Sequence, residues 1–208
     1  MKLDKIYQDV INGQSSDVES GVKAALAAGV SPEIILNKAL IAAMDDVGQR
    51  FAEGEFFVPE MLVAARAMQA GLNLLKPHLT ETGVKSAGRV AIGTVKGDLH
   101  DIGKNLVVMM LEGAGFEVED LGTDVDPSKF SEAAMNGAQV IGMSALLTTT
   151  MGSMSDVIEA VENVNMRDKI KVIIGGAPVT DAFAREIGAD AFAPDASSAV
   201  RIVRELIG

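Results

Sequence analysis

From Arg89 to the C-terminus the chain repeats one pattern, a short apolar run followed by a longer stretch with helical spacing. Val90–Val95, Val140–Met143 and Val172–Ile174 lack the apolar/polar alternation of a strand with one wet face. Each therefore reads as a strand buried on both faces, the mark of a parallel sheet. Two weaker segments, Phe116–Leu121 and Asp190–Ala193, complete five β/α units. Right-handed crossovers then leave a doubly wound α/β domain of five parallel strands as the natural solution, most simply in the flavodoxin-like order 2-1-3-4-5. We assign it to residues 87–208.

Residues 1–86 show no such runs. Ser31-Pro32-Glu33 predicts a helix start with a hydroxyl cap, proline in the first turn and an acid favoured by the helix dipole. Leu36, Leu40, Met44, Val47 and Phe51 then follow one helical face. Pro59 opens the next helix, whose apolar positions Met61, Leu62, Ala65, Met68, Leu72 and Leu75 continue until Pro77 is expected to end it. With Leu3–Ile11 and Val18–Ala28, this predicts a four-helix bundle. The small, polar stretch Thr80–Gly88 reads as the linker between the two domains.

Composition removes several functions. Eighteen basic against 29 acidic residues give a formal charge of −11, the wrong sign for a binder of phosphate backbones. There is no cysteine, which excludes disulfides, thiolate nucleophiles and cysteine-held metals. His78 and His100 are the only histidines. No run approaches the roughly 18 apolar residues of a membrane span, and no signal peptide is seen, so the chain is expected in the cytoplasm.

In an open parallel sheet the ligand lies beyond the carboxyl ends of the strands. The first such loop reads Lys96-Gly97-Asp98-Leu99-His100-Asp101-Ile102-Gly103-Lys104-Asn105, which is neither the dinucleotide fingerprint nor a P-loop. It places a carboxylate two residues before a histidine, a spacing that puts both side chains on one side of an extended backbone. A carboxylate on one ring nitrogen leaves the other free for a metal; the same residues also fit a surface histidine beside a helix-capping aspartate. One histidine cannot make a metal site alone, but it can be the axial ligand of a metal already held by a macrocycle. The loop after Val140–Met143 gathers Ser144, Thr148, Thr149 and Thr150 around Leu146 and Leu147, and Gly175-Gly176-Ala177 strips side chains from the next strand end. Small residues there would let a flat or long ligand pass close to the backbone.

Asp98-x-His100-x-x-Gly103, Ser144-x-Leu146 and Gly175-Gly176, taken together and in order, resemble the cobalamin-binding domain of methionine synthase and of the corrinoid methyl-carrier proteins. Gly48-x-x-Phe51-x-x-Gly54 and Phe57-Val58-Pro59-x-Met61 resemble the helical cap of the same family. The resemblance implies a cobalamin or related corrinoid bound base-off, with His100 as the lower ligand to cobalt. Asp98 would hold the other ring nitrogen, and Thr150 stands where methionine synthase has the serine of the relay. Gly97, Leu99, Asp101, Ile102 and Gly103 would line the cofactor. Its nucleotide tail would pass Ser144, Leu146, Leu147, Thr148, Gly175, Gly176, Ala177, Asp195 and Ala196. Phe51, Val58 and Met61 would cover the methyl-bearing face, and Asn37 departs from a glutamate in methionine synthase.

With all 208 residues used by cap and cofactor domain, the resemblance implies a carrier without turnover of its own. Its cobalt, as methylcobalamin, would pass a methyl group from a substrate:corrinoid methyltransferase to a second methyltransferase serving tetrahydrofolate or a thiol. The donor would be a methylamine, methanol, a betaine or an aromatic methyl ether, and a reductive activase is the third expected partner. The alternatives are a cobalamin-dependent sensor, which would need a DNA-binding element that the acidic composition does not supply, and the small subunit of an adenosylcobalamin mutase, which has no need of a methyl-sized cap.

Overall fold

The computed structural model describes residues 2–82 and 86–208, with the side chains of residues 2 and 80–82 left aside. The central part of the expected linker, residues 83–85, lies outside the described residues. The chain forms two compact units, one of residues 1–86 with 109–115 and one of residues 87–108 with 116–208.

The first unit is helical. α1 (Lys2–Ile11), α2 (Ser15–Ala27), α3 (Pro32–Ile35), α4 (Ala42–Ala52) and α5 (Val58–Thr82) bury Ile6, Val10, Val18, Val22, Leu40, Val47, Met61, Met68 and Leu75. α3 and α4 are joined by a π-helical turn, Leu36–Ile41, so residues 32–52 form one helical run. That turn corrects the simple α-helical expectation: the first two intervals of four, Leu36 to Leu40 to Met44, already run wider than the 3.6-residue period. Ser31 precedes α3 in extended conformation, but its hydroxyl makes no capping bond, so Pro32 at the first position and Glu33 remain as the start signals. α5 passes through Pro77 instead of ending before it. Proline removes one backbone donor there, and the helix continues past that single missing bond to Thr82.

The second unit is a five-stranded parallel sheet ordered β2-β1-β3-β4-β5, as the crossover argument predicts. Its strands are β1 (Arg89–Val95), β2 (Glu117–Val125), β3 (Val140–Ser144), β4 (Lys171–Gly175) and β5 (Ala191–Ala193). Connecting them are α6 (Ile102–Gly113), α7 (Pro127–Met135), α8 (Gly152–Asn163) and α9 (Asp181–Ile187), with α10 (Ala196–Ile207) closing the chain. β1, β3 and β4 are buried along almost their whole length, which explains their unbroken apolar runs. On one face Ala91, Val95, Ile141, Met143, Val172 and Ile174 pack against Phe130 of α7 and Met154, Val157 and Val161 of α8.

Side-chain caps fix several helix starts at the carboxyl ends of the sheet. Asp126 accepts from the Ser128 N–H before α7, Thr180 from Phe183 N–H before α9, and Asp195 from Ser198 N–H before α10. These short β-to-α turns hold the strand-end loops in place.

Candidate functional site

Asp98 ends the turn after β1. Gly97 makes that turn with φ +83°, a conformation that glycine adopts without strain. Asp98 is completely buried, whereas the imidazole of His100 is 52% exposed. Asp98 Oδ1 lies 2.8 Å from His100 Nδ1 and also accepts the His100 backbone N–H at 3.1 Å. The other oxygen, Oδ2, accepts from Leu146 N–H at 2.8 Å, Leu147 N–H at 3.2 Å and the Thr150 hydroxyl at 2.8 Å. The aspartate thus ties the β1 loop to the β3 loop.

Burial alone would push the Asp98 carboxyl up. The N–H groups of Leu146 and His100, the His100 imidazole and the Thr150 hydroxyl outweigh it and hold the acid well below the usual carboxylate range. Asp98 is therefore an anion that only accepts hydrogen bonds, and the proton it faces must sit on Nδ1. In the neutral ring that leaves the lone pair on Nε2, which has no hydrogen-bond partner among the described residues. The His100 backbone is fixed as well, since its carbonyl accepts the hydroxyl of fully buried Thr94 at 2.9 Å.

Leu99 and Ile102 are 73% and 77% exposed, and Leu146 and Leu147 more than 40%. Four solvent-facing apolar side chains on the two linked loops are what a flat, largely apolar ligand would cover. Gly103, second residue of α6, would direct a side chain into open space, and Asp101 is exposed beside it. Among the described residues no group of three or more His, Asp or Glu could hold a metal ion. A metal at His100 would have to arrive with its other ligands, and the donor set fits a corrinoid.

The remaining expected residues fall at strand ends without all doing what their type implied. Ser144 closes β3, Thr148 is exposed, and the Thr150 hydroxyl, expected as the third member of the relay, donates to Asp98. Gly175 closes β4 and Ala177 follows in the exposed turn. Gly176 has φ +131°, and a Cβ there would stand 1.9 Å from the carbonyl oxygen of Ala145. Its glycine is required by the approach of two chain segments, whatever binds nearby. The Asp195 carboxylate is engaged by the N–H and hydroxyl of Ser198, and Ala196 is buried at the start of α10. In the helical unit Phe51 is half-buried, Val58 exposed and Met61 fully buried.

Sequence reasoning missed Thr94, Lys104, Asn105, Asp120 and Asp124. Asp124 donates its N–H to the Asp98 carbonyl at 2.9 Å and accepts the Gly97 N–H at 2.8 Å. Lys104 is 3% exposed, with its ammonium on Asp120 and Asn105. The signal was a lysine at the third position of a mostly apolar helix, and nothing local to it reveals Asp120 as the partner.

Fold and loops together define a doubly wound domain that presents a single, buried-carboxylate-oriented imidazole beyond the ends of its strands. Comparison with known proteins makes this specific. The B12 binding domain family matches residues 88–204, and a second B12 binding domain family matches residues 2–76. Dimethylamine corrinoid protein 3 of Methanosarcina acetivorans is 44% identical over 206 residues, 99% of this chain and 96% of that protein. Among solved structures, a cobalamin-binding protein from Desulfitobacterium hafniense superposes with a TM-score of 0.81 at 32% identity over the full length of both chains. A chain of the methanol:cobalamin methyltransferase complex MtaBC from Methanosarcina barkeri gives 0.88 at 30% identity, over 99% of this chain and 79% of that one. The chain belongs to the B12-binding family of corrinoid proteins, and its cofactor is a corrinoid.

Proposed function

We propose that this protein carries a methyl group between two methyltransferases and has no turnover of its own. The observation that carries the reading is the His100 imidazole, half exposed and held through Nδ1 by a buried anion that ties together two strand-end segments carrying four exposed leucine and isoleucine side chains. When bound, the corrinoid supplies a cobalt centre that takes up and gives up methyl groups. His100 would hold that cobalt through Nε2. Asp98 keeps the Nδ1 proton in place, and Thr150, Leu146 and Leu147 keep Asp98 ionised, so ligand strength is set by the protein.

We assign contact with the corrinoid to Gly97, Leu99, Asp101, Ile102, Gly103, Ser144, Leu146, Leu147 and Thr148, and with its nucleotide tail to Gly175, Gly176, Ala177, Asp195 and Ala196. Phe51, Val58 and Met61 are proposed to shield the transferred methyl group, on the resemblance of the Gly48–Met61 segment to the family's cap. The methyl donor is proposed to be a methylamine, dimethylamine first, because a dimethylamine corrinoid protein covers the chain at 44% identity. The first partner is then a substrate:corrinoid methyltransferase, the kind of assembly that MtaBC represents. A second methyltransferase, acting on tetrahydrofolate or a thiol, and a reductive activase complete the system.

The test is to load the protein with hydroxocobalamin, reduce it, and add methyl-labelled dimethylamine with a dimethylamine:corrinoid methyltransferase. Label should stay with the protein on gel filtration in the dark, and only when the methyltransferase is present. No labelling with any methylamine, methanol, betaine or aromatic methyl ether and its methyltransferase would overturn the carrier reading.

A further inference from the structure

Lys104 is a buried cation that the site described above does not use. Its ammonium lies 2.6 Å from both Asp120 oxygens and 2.6 Å from Asn105 Oδ1, so its three protons are engaged and none is left for a ligand. Stability does not explain it. Only Lys104 is buried, its partner Asp120 being 39% exposed, and a cation in the first turn of α6 opposes the helix dipole.

Asp120 sits where β2 first gains a residue on β1. Ile92 pairs with Asp120 but Gly93 with Gly122, and Val95 then pairs with Val125, so β2 bulges twice in succession. Asp120 Oδ1 spans the first bulge by also accepting the Gly122 N–H at 2.9 Å. The second brings Asp124 to φ +52°, where its N–H reaches the Asp98 carbonyl and its carboxylate takes the Gly97 N–H. Bulges of this kind re-aim side chains beside functional sites. A second arm leaves Lys104 through Asn105, whose amide donates to Asp101 at 3.0 Å. Both arms end within three residues of His100.

We propose that Lys104 is a positioning residue for His100, acting through Asp120 and the doubly bulged end of β2, which grips the Gly97–His100 loop. The inference rests on His100 being the cobalt ligand. It makes β2 the brace on one side of the loop, with Leu146, Leu147 and Thr150 the brace on the other.

Lys104→Met keeps an unbranched stem out to Cε and removes the ammonium. Amide hydrogen exchange of the cofactor-free protein should quicken about tenfold at Gly97 and Asp124, and stay at the wild-type rate at Ile141 and Ile173 in the sheet centre. In the hydroxocobalamin-loaded, reduced variant, the nitrogen hyperfine structure of Co(II) should weaken to that of a mixed ligand population, against full intensity in the wild type. Wild-type protection at Gly97 and Asp124, or exchange rising equally along every strand, would overturn the proposal. If wild-type protein lacks the hyperfine structure while the exchange pattern holds, the ligand reading fails and the brace stands. Should Lys104→Met not fold, Asp120→Asn, which keeps the shape and removes the partner charge, is read by the same criteria.

Discussion

Asp98 Oδ1 and His100 Nδ1 meet at 2.8 Å, and the two side chains could hardly differ more in surroundings: the carboxylate is wholly buried and the imidazole is half in solvent. The carboxylate accepts five hydrogen bonds, from Leu146, Leu147, Thr150 and twice from His100. An exposed ring on a saturated, immobile anchor has a fixed tautomer and a fixed direction, which a metal ligand needs and a surface histidine does not.

Asp98→Asn should lower corrinoid affinity or methyl-transfer rate about 10–100-fold, the usual loss when the group orienting a metal ligand is removed. It should also destabilise the cofactor-free protein by about 2 kcal/mol near neutral pH, because charge-assisted hydrogen bonds are lost in a buried site. The acid is depressed in the folded state, so its stabilisation is present above the unfolded value of about 3.9 and is lost as pH falls toward the folded one. Urea unfolding should therefore show a constant difference between wild type and variant above about pH 5, shrinking below about pH 4.

Thr150 separates hydroxyl from methyl. Thr150→Val should lower stability by about 1–3 kcal/mol and weaken histidine ligation, since Asp98 loses a donor in a place water does not reach. Thr150→Ser, which keeps the hydroxyl, should hold the histidine-ligated spectrum. Equal spectra for all three proteins would show that this hydrogen bond does not tune His100.

Two glycines should respond oppositely to alanine. Gly176→Ala meets the Ala145 carbonyl at a positive φ and should destabilise the cofactor-free protein by about 2–5 kcal/mol. Gly103→Ala, in α6 and facing open space, should leave stability unchanged or raise it by up to about 1 kcal/mol. Its effect should appear in hydroxocobalamin titrations, as weaker binding. An unaltered affinity would mean that the cofactor does not approach Gly103.

In the helical unit, Asp46 accepts from Arg50 at 3.0 and 3.1 Å and from the Tyr7 hydroxyl at 2.8 Å. The Arg50 hydrogen bond, helped by Tyr7, holds Asp46 below the ordinary carboxylate value against the effect of burial. Asp46→Asn should thus cost no more than about 1 kcal/mol near neutral pH for a partly exposed pair. The difference should fade below about pH 4, where wild-type Asp46 also takes up its proton on unfolding.

The parts of the fold legible from sequence were those set by burial. β1, β3 and β4 are apolar because both faces are covered, and strand order followed from crossover handedness. β2 runs four residues past the expected Leu121, because its acidic, glycine-containing end pairs through bulges that no apolar pattern announces. Pro77 is expected to end α5 and does not, since one missing backbone donor leaves the rest of a 25-residue helix intact. At the site, Asp98 and His100 were readable from spacing two residues apart. Lys104 and Asp120 are sixteen residues apart on different elements, and only the folded sheet brings them together. Gly176 carried a true signal with another cause, the Ala145 backbone.

Electron paramagnetic resonance of the hydroxocobalamin-loaded protein, reduced to Co(II), tests the ligand assignment most directly when natural-abundance protein is compared with protein labelled with 15N-histidine. One axial imidazole predicts cobalt lines split into triplets that become doublets on labelling, are lost in His100→Ala and persist in His78→Ala. Unsplit lines in the wild type, or a splitting that labelling leaves unchanged because the cofactor's own benzimidazole is the donor, would contradict the account.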